Sequence, residues 1–131
     1  MEQKIHVSTQ YQQEEGKLVA DSGSSLSLGK SEGAFAPYEL LLGGLSYCLY
    51  STFLSIAEKM QLVYGDVALD INGVKRDEKV ATLKTVTIAV TAKGIEDQGK
   101  FEKAFEISTR YCSVFQTISK VADITWNVTF A

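Results

Sequence analysis

From Leu40 to Ala57 the chain runs eighteen residues without a charged side chain. A stretch that long and apolar has two physical solutions: a membrane span, or a helix buried among other elements. Six of the eighteen are Gly, Ser or Thr, and Glu58-Lys59 closes the run with strand-like sequence on both sides. The buried helix is therefore the better reading. Pro37 fits the first turn of such a helix, because its missing N–H has no intrahelical partner there. A helix from Pro37 to Met60 extends about 36 Å, against a radius of gyration of about 14 Å for a chain of this length. It crosses the whole domain, and one chain of 131 residues is short of material to cover it alone.

Short alternating runs come before it: Ile5 and Val7 against His6 and Ser8, then Lys17 to Asp21 and Ser25 to Leu28, separated by Gly/Ser-rich turns. They predict a small antiparallel meander. The segment Gly29 to Ala36 has no period and reads as a loop. After the helix, Val67, Leu69 and Ile71 share one parity within Asp66 to Arg76, and Val86, Ile88, Val90 and Ala92 share one within Thr85 to Lys93. These are two strands joined by the charged turn Asp77-Glu78-Lys79. Phe101, Ala104, Phe105, Ser108, Tyr111, Cys112 and Phe115 then recur at steps of three and four after the acidic start Glu96-Asp97. That spacing predicts an amphipathic helix with Cys112 on its buried stripe. Ile124, Trp126, Val128 and Phe130 alternate in a closing strand, free to pair with the first sheet. The element order is that of an α+β protein, and the length fits one domain, residues 1–131.

Thirteen Lys and Arg against sixteen Asp and Glu give a net charge of −3 with no basic run, so nucleic acid is not an expected partner. Met1 to Ile5 lacks the charged-then-apolar order of a signal peptide, which makes the cytoplasm the expected location and a membrane no expected partner. Cys48, Cys112 and the single histidine, His6, fall short of the four ligands of a closed structural zinc site. A reducing compartment disfavours a purely structural disulfide between the two cysteines, 64 residues apart, and leaves a working thiol pair open. A Ser-His hydrolase would have only His6 to use, and no Gly-x-Ser-x-Gly elbow is present.

On the long helix Gly44, Cys48, Ser51, Thr52 and Ser55 fall on one narrow face of small side chains, while Leu41, Leu45 and Leu49 lie elsewhere and fill core. Small residues around Cys48 let a substrate or another backbone approach. Equally, a free cysteine packs as a small hydrophobe, which leaves an inert buried Cys48 as the alternative. Tyr11, Tyr38, Tyr47, Tyr50, Phe53 and Phe115 are either lining for an apolar pocket or core.

The run Pro37-Tyr38-Glu39-Leu40-Leu41-Leu42-Gly43-Gly44-Leu45-Ser46-Tyr47-Cys48, followed by Arg110-Tyr111-Cys112-Ser113-Val114 before a closing strand, resembles the OsmC/Ohr family of thiol peroxidases. The resemblance covers about Gly33 to Phe130. It implies an intertwined homodimer of antiparallel sheets around long central helices, with sites at the subunit interface. It further implies that Cys48 attacks an organic hydroperoxide and becomes a sulfenic acid, that Cys112 resolves it as a disulfide, and that a dithiol reductant, lipoylated or thioredoxin-like, restores the pair. No cofactor is expected.

The sequence departs from the family pattern in places. Characterised relatives activate the thiolate with an N-terminal arginine paired to a glutamate directly after the proline, but here no arginine precedes Arg76 and the glutamate comes one later, as Glu39. Glu39 lies about 13.5 Å along the helix from Cys48 and on the opposite face. It is thus either a residue of the site acting across a dimer, or an acidic complement to its own helix N-terminus. Either Lys17, Lys30 or Arg76 lowers the Cys48 pKa, or Cys48 stays a slow thiol near the free value of about 8.5. Arg110 projects away from Cys112 as a solvated charge, and His6 is a surface residue. Ser113 stands where many relatives carry proline, and Ala36 offers no side-chain cap. The rival reading is a non-enzymatic OsmC-like module that binds an apolar small molecule or senses redox state.

Overall fold

The structure, a computed structural model, describes residues 2–131. It divides into two compact units, one ending at Leu41 and the other running Leu42–Ala131. The division falls inside the long helix, α1, which spans Pro37–Lys59.

In the first unit β1 (Val7–Gln12), β2 (Glu15–Ala20) and β3 (Ser25–Leu28) form the expected antiparallel meander in the order β1-β2-β3. The first strand begins at Val7, not Ile5, because Ala20 ends the partner strand opposite it. Tyr11 pairs with Gly16 and lays its ring over it, so that a Cβ on Gly16 would fall 2.7 Å from the ring. The aperiodic segment after β3 is a strap: Phe35 N–H donates to the Ser27 carbonyl at 2.8 Å and Gly29 N–H to the Phe35 carbonyl at 3.2 Å. Every residue of β1 is exposed within this chain.

In the second unit α1 buries Leu45, Leu49, Phe53 and Ala57, one stripe at four-residue spacing. Leu41, expected in the core, is 40% exposed. The helix stops one residue short of Met60, with Gln61 in the left-handed region (φ 54°). Leu62 N–H reaches back to the Ala57 carbonyl at 2.9 Å and Gln61 N–H to Glu58 at 3.1 Å, a Schellman ending. β4 (Val67–Lys75) and β5 (Leu83–Ala92) form the predicted hairpin. Gly73 in β4 lies beneath α1: a Cβ there would meet Leu42 Cδ1 at 3.3 Å.

The closing strand, β6 (Asp123–Phe130), corrects one expectation. It joins the second sheet, parallel to β5, in the order β4-β5-β6. A parallel pair needs a crossover of a dozen or more residues, and α2 (Gln98–Tyr111) with α3 (Ser113–Ser119) supplies it. The register sets Ile124, Trp126, Val128 and Phe130 beside Val86, Ile88, Val90 and Ala92, so all eight apolar side chains share a face. Aromatic rings fill the space above that face. Phe53 meets Phe101 at 4.9 Å and Phe105 at 6.1 Å, and these reach Phe130 at 5.7 Å and Trp126 at 4.9 Å.

The second helix differs from its sequence pattern as well. It starts as expected, with Asp97 Oδ1 accepting from Lys100 N–H at 3.0 Å as N-cap. The pattern then predicts one helix through Phe115, but the backbone breaks at Cys112 (φ −77°, ψ 115°) and restarts as α3. Cys112 closes α2 by donating its N–H to the Ser108 carbonyl and opens α3 by accepting the Phe115 N–H at Sγ, 3.4 Å away. A thiol therefore stands where Ser, Thr, Asp or Asn is usual.

Candidate active site

The break at Cys112 has a chemical consequence, because the first N–H groups of a helix lack intrahelical acceptors. Those of Ser113 and Val114 serve the Cys48 sulfur instead. Cys48 lies on α1, half-buried, and Cys112 is fully buried. The two side chains interact directly, and Ser113 Oγ stands 3.9 Å from Cys48 Sγ. Thr52 Oγ1 donates to the Cys48 carbonyl at 2.9 Å, fastening the helix one turn beyond the thiol.

The two thiols are tuned in opposite directions. Burial pushes Cys48 up, but the Val114 N–H, the Cys112 side chain, the Ser113 hydroxyl and the Ser113 N–H together outweigh it, and the net shift from 9.0 is downward. Burial pushes Cys112 up to about 11, and the direct interaction with Cys48 adds to this against the Phe115 and Val114 N–H groups. The pair therefore loses its first proton from Cys48, and Cys112 keeps its own to higher pH. Alkylation at pH 7 to 8 is accordingly expected to label Cys48 and leave Cys112 untouched. The Cys48 rate should rise with pH to a midpoint below 9.0, and Cys112 should react only as pH approaches about 11. Peptide mapping after iodoacetamide at a series of pH values checks this, and equal labelling of both cysteines at neutral pH would refute it.

The other candidates are placed as follows. Glu39 Oε1 accepts the Ala36 N–H at 2.8 Å, the reciprocal half of a capping box whose other half is missing because Ala36 has no hydroxyl. The groups acting on Cys48, from Cys112, Ser113 and Val114, are uncharged, and Arg76 donates to the Val121 carbonyl at 2.9 Å; Lys17 lies on β2 and Lys30 in the loop after β3. Arg110 is exposed and pairs with Glu106 at 3.2 Å, and His6 is exposed beside Asp21 at 2.7 Å. Phe53 is core, stacked near Tyr50 and edge-on to Tyr64, whereas Tyr47 is 72% exposed. Tyr11 lines a cavity of about 540 Å³ in the first unit with Leu28, Lys30, Phe35, Pro37 and Leu40. The N–H donors of Ser113 and Val114 carry no mark in the side-chain pattern, and only the helix break reveals them.

Around this geometry the chain is similar throughout to proteins of one kind. The family described as OsmC-like protein matches residues 29–127, and the chain belongs to it. A comparison with curated proteins finds no match. Among solved structures, an OsmC-like protein from Mycoplasma pneumoniae superposes with a TM-score of 0.89 at 16% identity, covering 100% of this chain and 99% of that one. A hypothetical protein from Aquifex aeolicus gives 0.84 at 22% identity, covering 99% of each. The organic hydroperoxide resistance protein OhrB of Bacillus subtilis gives 0.73 at 14% identity, covering 96% of this chain and 98% of that one. At these identities the likeness establishes the fold, which is α+β and OsmC-like.

Proposed function

We propose that this protein is a thiol-dependent peroxidase that reduces organic hydroperoxides through Cys48 and Cys112. The observation that carries the reading is the thiol pair itself: adjacent sulfurs, one drawn toward the anion and one held as the neutral thiol. The Cys48 thiolate attacks the terminal peroxide oxygen. The S–O bond forms as the O–O bond breaks, and the departing alkoxide takes up a proton as the alcohol. Cys112 sulfur then attacks the Cys48 sulfenic acid, forming the S–S bond, and the expelled hydroxide leaves as water with the Cys112 proton. A dithiol reductant, lipoylated or thioredoxin-like, returns both thiols by exchange. The OsmC-like family membership and the hydroperoxide-resistance name of one structural neighbour agree with this reading.

In this reading the working form is a cytoplasmic homodimer of one OsmC-like domain. Its support is an uncovered helix face, on which Gly43 and Gly44 have nothing within 4 Å of a built Cβ, Tyr47 is 72% exposed and Leu54 40%. Most of the apolar length of α1 is left unburied within the chain, and α1 is long and apolar enough to cross a membrane. Glu39, its Oε1 held by Ala36, belongs in the dimer to the shell around the partner's thiols.

The test is intact mass and free-thiol count after one equivalent of an organic hydroperoxide, followed over seconds. Loss of both thiols with a mass loss of two hydrogens is expected, and the oxidised protein should then be stabler by about 4 kcal/mol from closing a loop of this length. Two thiols intact after minutes would reject the peroxidase. It would favour the second reading, a module binding an apolar small molecule, for which the cavity beside Tyr11 and Phe35 is the motivating observation.

A further inference from the structure

A half-buried thiolate needs donors, and the groups acting on Cys48 include no cation. The N–H groups of Ser113 and Val114 are two donors fixed by the backbone. The side chain of Ser113 is a third, of a different kind. It is exposed, at the first position of α3, with its carbonyl occupied by Thr117 Oγ1 at 2.9 Å and its hydroxyl turned toward Cys48 Sγ at 3.9 Å. We propose that the Ser113 hydroxyl is a side-chain hydrogen-bond donor that, beside the Cys112 thiol, holds the Cys48 sulfur as its reactive anion, an uncharged residue in a role that a cation would otherwise fill. A separation of 3.9 Å is long for a neutral thiol, which itself has a hydrogen to place. Loss of that proton makes the sulfur an acceptor alone, and a serine hydroxyl rotates freely to meet it.

Cys112 is the titratable side chain among the groups acting on Cys48, and it remains a neutral thiol up to about 11, so the profile of Cys48 below that range reports on its uncharged donors. The inference deepens the peroxidase reading and rests on it for its purpose, but the interaction belongs to the reduced chain and needs no peroxide to be seen.

The experiment is the pH profile of Cys48 alkylation by iodoacetamide, read by peptide mass, in wild type, Ser113→Ala, Ser113→Gly and Ser113→Thr. Both variants without a hydroxyl should shift the midpoint upward and slow alkylation at pH 7 by about three- to tenfold, the usual net worth of one ordinary hydrogen bond, as suits an exposed donor 3.9 Å away. Ser113→Thr should restore the wild-type midpoint. The backbone donors persist in all three, so the shift isolates the hydroxyl. An unmoved midpoint in Ser113→Ala and Ser113→Gly at unchanged melting temperature would overturn the proposal, as would failure of Thr to restore it. Because no peroxide is present, a chain without peroxidase activity would still show the shift. An active peroxidase with an unmoved midpoint would overturn the role of Ser113 alone.

Discussion

Cys48→Ser is expected to abolish consumption of organic hydroperoxides, a fall on the order of 10³-fold or more, since a serine hydroxyl cannot replace a thiolate as nucleophile toward the O–O bond. Cys112→Ser should behave differently. Its Cys48 still has the Ser113 and Val114 N–H donors, and the new serine hydroxyl can donate where the Cys112 thiol did, so one equivalent of peroxide should be consumed at near wild-type speed. Turnover then stops, and the protein gains one oxygen atom as sulfenic acid before further, irreversible oxidation. The contrast separates the roles: one cysteine sets the first step, the other only the second. Stopped-flow peroxide consumption with mass analysis measures both. Equal activity in wild type and Cys48→Ser would end the thiol mechanism, and a slow first oxidation in Cys112→Ser would show that the Cys112 side chain is needed to hold the Cys48 anion.

Why the sequence shows some of this arrangement and hides the rest follows from the kind of interaction involved. Period and punctuation are local, so Pro37 marks the start of α1 and the parity of Val67 to Ile71 and Val86 to Ala92 marks the hairpin. The partner of β6 is not local. Its alternation fits either sheet, and what decides is that Gln98 to Ser119 forms a two-helix crossover able to return the chain parallel to β5. The break at Cys112 is hidden because Phe115 continues the apolar spacing through it. The same break aims the Ser113 and Val114 N–H groups at Cys48, so the donors closest to the chemistry are the ones that a side-chain pattern cannot record. Glu39 shows the converse. Its place in the first turn leaves two roles open, one across a dimer and one as a helix complement, and its bond to Ala36 N–H supplies the second within its own chain.

Phe53→Ala should be the costliest substitution in the core, about 3–5 kcal/mol for a fully buried phenyl ring. The magnitude follows from its neighbours: Phe53 meets Tyr64 at 5.4 Å, Phe101 at 4.9 Å and Phe105 at 6.1 Å, so truncation empties the centre of an aromatic cluster whose members are themselves pinned to β6. Leu54, the next residue, is 40% exposed within the chain and should cost far less if nothing covers it. In a homodimer that uses this face, Leu54→Ala instead acquires a cost that depends on protein concentration, because subunit association is then part of the measured stability. Urea unfolding of the reduced protein at two concentrations distinguishes these outcomes. Phe53 also sits five residues beyond Cys48, and its partner Phe105 seven before Cys112. The ring contact therefore joins the two helices that carry the sulfurs. A folded Phe53→Ala protein should form its disulfide more slowly after the first oxidation, while the pH profile of Cys48 alkylation, set by the donors of Ser113 and Val114, stays in place. A Phe53→Ala cost below about 1 kcal/mol would mean that the cluster collapses around the missing ring, and that the thiol pair is held by something other than aromatic packing.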